Sequence, residues 1–145
     1  MAQTTLVNEQ IEAGSRFLFE FQKRYSPLLA AFWLKESERE REHLYVASEK
    51  ITDDNFDVAY REVLNIAETL KDPWFDPFRV KLIFANNWLV KSAKEVFDSR
   101  PFHPGGTRMY DTLFGGVRAE EVYLYPVPIT KPVFNQVEQT NPGSS

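Results

Sequence analysis

Ile11, Gly14, Leu18, Phe21 and Tyr25 recur at spacings of three and four, with Glu9, Glu12, Arg16, Gln22 and Lys23 largely on the opposite side. That period predicts a helix from Leu6 to about Tyr25. Phe17 and Phe19 broaden its apolar face, so the helix has more than one neighbour. Ser26-Pro27 ends it, because a proline ring keeps the residue before it out of the helical region. Leu28–Lys35 (LLAAFWLK) is apolar on both alternating sets of positions. A strand with that pattern is covered on both faces and is therefore central. Glu36–Glu42 alternates charges and reads as an exposed hairpin loop, after which His43–Ser48 (HLYVAS) returns as the second strand.

Thr52-Asp53-Asp54 marks the next helix start, where short oxygen-bearing side chains accept first-turn amides. Phe56, Tyr60, Val63, Ala67 and Leu70 then keep helical spacing, and Val58, Leu64 and Ile66 are expected to widen the buried arc. Asp72-Pro73 terminates this helix. Trp74-Phe75-Asp76-Pro77-Phe78 is an aromatic loop, followed by a strand over Arg79–Ala85 in which Val80, Leu82 and Phe84 face inward. Asn86-Asn87 caps a shorter helix, Trp88–Asp98, with Trp88/Leu89, Ala93 and Val96/Phe97 as its inner face. Residues 99–118 are irregular, with a short strand over Thr107–Leu113, and Glu121–Tyr125 is the last strand.

This order gives an α+β fold: one domain over residues 1–130, with a mixed sheet of four to five strands and three helices packed on it. The helices lie on both faces of the sheet, which accounts for the doubly apolar first strand, or all on one. Residues 131–145 form a polar tail.

Composition narrows the function classes. The 145 residues include no cysteine, which excludes disulfides, thiolate metal ligation and a cysteine nucleophile. Two histidines, His43 and His103, are too few for a multi-histidine metal centre. The net charge is −4, with a balance of −5 over residues 1–70 and +1 over 71–145, so the basic excess of a phosphate-neutralising protein is missing and nucleic acid is not an expected partner. No apolar run approaches the roughly 18 residues of a membrane span. The start of the chain lacks the basic and apolar stretches of a secretion signal, which makes the cytoplasm the expected compartment.

Two regions carry candidate chemistry. Arg100, His103, Arg108 and Asp111 combine a proton shuttle, cations and an orienting carboxylate around Gly105-Gly106. Such a set suits a phosphorylated or carboxylated ligand, or a phosphodiester, handled by a small enzyme or an anion-binding protein. Trp74, Phe75 and Phe78 are large rings on a proline-stiffened loop, which is what an interface anchor requires. The second region points to a non-enzymatic module that binds a protein partner or a further copy of itself. His43 with Glu49, and the acidic set Asp53, Asp54 and Asp57, are weaker metal candidates that match no ligand spacing. Glu49 and Lys50 are adjacent, which places them on opposite faces of a strand and spoils a nuclease-type pair. No cofactor motif is present.

Overall fold

The computed structural model describes residues 6–99 and 105–130. Helix α1 (Asn8–Tyr25) leads into the hairpin β1 (Leu28–Glu36) and β2 (His43–Ser48). Helix α2 (Phe56–Leu70), β3 (Val80–Ile83), α3 (Trp88–Ser99) and the hairpin β4 (Thr107–Phe114) and β5 (Val117–Leu124) follow. The five strands form one mixed sheet in the order β3-β2-β1-β5-β4. Among the described strands β2 and β3 alone are parallel; their connection runs through α2.

β1 sits in the middle, as its two apolar sets require. Ala31 and Trp33 join Leu44, Val46, Val80 and Leu82 in a core beneath α1 and α2. Ala30, Phe32 and Leu34 join Tyr45, Ala47, Val122 and Leu124 in a second core beneath α3. The fold is therefore a three-layer α+β sandwich, and its middle layer is apolar on both faces. No helix among the described residues is long and apolar enough to cross a membrane.

Several local expectations change. Val58 and Leu64 are 50% and 45% exposed, so α2 buries a narrower face, built on Ala59, Val63 and Ile66. Its start is not capped by the aspartates. Thr52 and Asn55 do this instead, the Thr52 amide donating to Asn55 Oδ1 at 2.8 Å, ahead of a single 3-10 turn over Asp53–Asn55. Trp88 points to solvent, while Leu89, Ala93, Val96 and Phe97 pack on the second core as expected and Val90 joins them; Asn87 Oδ1 accepts the Leu89 amide at 2.8 Å at the start of the helix. β3 stops at Ile83, which leaves Phe84 beyond it on the surface against Phe56.

β3 lies at one edge of the sheet, where its outer amides and carbonyls have no neighbouring strand. Tyr60 of α2 supplies a substitute. Its hydroxyl donates to the Val80 carbonyl at 3.1 Å and accepts from the Leu82 amide at 3.0 Å.

The strand expected over Thr107–Leu113 is present as β4, and residues 114–120, expected to be irregular or loop, continue it into a hairpin with β5, closed by Gly115 and Gly116 at φ values of 60° and 81°. Its face pattern is reversed part-way. β1 pairs Lys35 with Glu121 and then Glu36 with Ala119, so Glu120 is an extra residue in β5. Across from it in β4, Asp111 has a left-handed backbone, φ 47°. Val122 and Met109 face the α3 layer before this kink, and Ala119 and Phe114 face it after.

Candidate functional site

The aromatic loop is set by two short sequence units of the same kind, Asp72-Pro73-Trp74 and Asp76-Pro77-Phe78. An aspartate readily accepts the amide two residues on, and the proline between them fixes φ. Both units do this: Asp72 Oδ1 accepts from the Trp74 amide at 3.0 Å and Asp76 Oδ1 from the Phe78 amide at 2.9 Å. The loop is also tied from behind. Asp72 Oδ2 pairs with Arg16 of α1, whose Nε donates at 3.0 Å. Lys71 closes α2 in a left-handed conformation, its amide donating to the Ala67 carbonyl at 3.0 Å.

The three candidate anchors then divide. Phe75 is buried, stacked on Phe17 with centroids 4.6 Å apart, and cannot serve as a surface contact. Trp74 is 50% exposed and Phe78 82% exposed. Phe75 is thus the root of the loop, and the other two rings are what it displays. The repeated Asp-Pro-aromatic unit is the sequence signal that separates Trp74 and Phe78 from Phe75.

The second feature at this end of the sheet is the β1–β2 turn, distant in sequence but adjacent in space. Arg79 joins the two: its Nη1 donates to the Glu42 carbonyl at 3.4 Å, and its Nε lies 3.7 Å from Asp76 Oδ2. Between turn and loop lies a groove of about 310 Å³, lined chiefly by Gln10, Trp33, Arg41, Glu42, Trp74 and Arg79. A wider, shallower depression on the other side of Arg79 is lined by Glu36, Glu38, Arg39, Glu40 and His43 among others. His43 is held below the usual imidazole range, first by burial and then by Lys81, Arg79 and Arg39, with Glu42 opposing. Glu42 is itself buried and takes a hydrogen bond from Gln10.

The other candidate region does not assemble in the way its spacing suggested. Arg100 and His103 lie outside the described residues. Arg108 is in β4, its Nε 3.4 Å from the buried Glu121 and its Nη2 donating to the Leu6 carbonyl at 3.5 Å. Glu121 Oε1 in turn accepts the Leu6 amide at 3.3 Å. This pair clasps the segment ahead of α1 to the sheet, a role invisible in sequence because Glu121 looks like one more acidic residue of a strand. Asp111 sits at the kink in β4, exposed, and among the described residues no ion pair joins it to Arg108. The Gly105 carbonyl accepts from the Tyr123 hydroxyl at 2.7 Å.

His43 and Glu49 lie at opposite ends of β2 and do not form a pair. Among the described residues no group of three or more acidic or histidine side chains is arranged to hold a metal ion, and Asp53, Asp54 and Asp57 form none. No family model matches the chain, and no curated protein or solved structure matches it either.

Proposed function

We propose that this chain is a protein-binding module, and that its contact surface is the end of the sheet where the 71–79 loop meets the 37–42 turn. One observation carries the reading: Phe78 stands 82% exposed on a backbone pinned by Asp76. Exposing a large ring to water is unfavourable by about 25 cal/mol per Å² of apolar surface. Holding that ring in one place spares the ordering cost that a flexible loop would meet on binding. Trp74 adds a second fixed ring, and the charges of both signs around the groove form the polar rim of a protein interface.

The mixed charge of this end favours a protein partner over nucleic acid, which selects for a basic surface. The alternative, anion handling through the 100–111 loop, draws no support from Arg108, whose guanidinium is already engaged by Glu121 and Leu6.

The test is photo-crosslinking in cells of the source organism, with a benzophenone amino acid placed at Phe78 and, as control, at Val58, an exposed position on α2. A discrete protein adduct from position 78 that is absent from position 58 is the expected result. No adduct at 78, or the same adducts from both positions, overturns the reading.

A further inference from the structure

We infer that the partner seated on this surface is a second copy of the chain, paired about a two-fold axis. The inference rests on the docking surface proposed above and names its occupant. Two features of the surface are self-complementary.

The first is shape. The surface carries both a knob and a hollow. Phe78 projects one residue away from Arg79, which walls the groove, but is not itself among the groove's walls. At about 310 Å³ the groove is at the bottom of the range for small-molecule sites, about 300–1,000 Å³, and suits a single large side chain. Its exposed apolar walls are Pro73 and the Trp74 ring, with the buried Trp33 behind them. Phe78 lies in the chain between Asp76 and Arg79, both of which line the groove, and on the two-fold inferred here reciprocal insertion closes as a pair. A knob and groove on separate faces would instead propagate head to tail.

The second is charge. At the groove Asp76 pairs with Arg79, and at the neighbouring depression, which shares Arg41 and Arg79 with it, Glu36 pairs with Arg39, each at 3.7 Å. Glu38, Glu40 and Arg41 are exposed and have no ion-pair partner among the described residues. A partner of one sign is repelled by part of this set. A second copy supplies both signs in the same spacing, so a two-fold arrangement sets Glu38 and Glu40 against the partner's Arg41, and the reverse.

The experiment is sedimentation of the full chain across a concentration series, for the unaltered protein, Phe78→Ala, Arg41→Glu and the double variant Glu38→Lys/Glu40→Lys. Circular dichroism verifies that each is folded. All four positions are on the surface apart from the partly pinned Phe78 backbone, which the substitution keeps. The expected result is a dimer for the unaltered chain, with dimer affinity weakened roughly 30-fold by Phe78→Ala, as for an interface hot spot. Each charge variant alone is expected to be monomeric, and an equimolar mixture of the two to recover a dimer.

A chain that stays monomeric up to about 1 mM overturns the inference. So does a dimer indifferent to all the substitutions, or a charge-variant mixture that fails to associate. The crosslink at position 78 separates this failure from that of the docking reading. An adduct at twice the chain mass of 16.9 kDa supports the second copy. An adduct of another mass overturns the second copy and keeps the docking surface, and no adduct overturns both.

Discussion

Trp33 and Tyr125 are joined through the core: the indole Nε1–H donates to the tyrosine hydroxyl at 2.9 Å, and that hydroxyl donates to the Ile11 carbonyl at 2.6 Å. The relay links the central strand to α1, and it passes directly beside Gly14. A Cβ on Gly14 would overlap the Tyr125 hydroxyl and come within 3.0 Å of Trp33 Nε1. Alanine gains about 1 kcal/mol over glycine as a helix former, but overpacking here costs about 1–3 kcal/mol, and Tyr125 is too enclosed to move aside. Gly14→Ala is therefore expected to destabilise the fold, read as a lower denaturant midpoint. Tyr125→Phe keeps the packing but strands the buried Trp33 donor, at about 1–3 kcal/mol, while the Ile11 carbonyl keeps its acceptor role within α1. An unchanged midpoint in Tyr125→Phe would mean the relay adds nothing to stability.

Tyr60 gives a second, more local expectation. Tyr60→Phe removes the hydroxyl that bridges the outer edge of β3 and leaves the Val80 carbonyl and the Leu82 amide to water. The expected loss is about 0.5–1.5 kcal/mol, with the Leu82 amide exchanging hydrogen faster than in the parent protein. If the Leu82 amide keeps its protection while its neighbours do too, the hydroxyl is not what shields it.

Two groups set opposite limits on pH. His43 titrates below its ordinary range in the folded chain, so the unfolded chain takes up a proton first as pH falls. Stability contributed by the neutral imidazole is complete above about pH 6.5 and is lost as acidity passes through the lower folded value. Tyr45 is pushed up to about 12 by burial and by the neighbouring Glu36 carboxylate, to which its hydroxyl donates at 3.2 Å. Its contribution is complete below about pH 10 and is lost as pH rises through about 12. Unfolding curves measured from pH 5 to 12 are expected to fall away at both ends. His43→Asn should flatten the acid side, and Tyr45→Phe should lessen the alkaline fall without abolishing it, because burial pushes Tyr125, Tyr123 and Tyr25 up as well; each substitution leaves the other limb intact.

Much of the architecture was legible because two signals are strong in this chain. The doubly apolar β1 announced a central strand covered on both faces, though not whether helices lie on one face or both, and helical spacing placed α1 and α2. The losses have specific causes. Spacing put Val58 and Leu64 on the inner arc, but nothing in α2 alone says how wide a face its neighbours cover. The β4–β5 hairpin hides its period because Asp111 and Glu120 switch the inward face half-way, so neither strand alternates from end to end.

At the candidate site, composition drew attention to the aromatic loop but not to which of its rings lie on the surface. Phe75 differs from Trp74 and Phe78 only because Phe17, on another element, receives it. The joining of loop and turn through Arg79 depends on the sheet bringing β2 and β3 side by side, which no local pattern encodes.

The hydroxyl lying along β3 has a consequence for crowding as well as for the fold. Chains that stack sheet upon sheet into fibres need an open strand at each end of the molecule, one to accept a neighbour and one to receive the next. Among the described strands only β4 offers such a border, since the opposite one is already occupied from within. Accidental strand-to-strand joining at high concentration is therefore favoured through β4 and hindered at β3, where a neighbour would have to displace the Tyr60 hydroxyl.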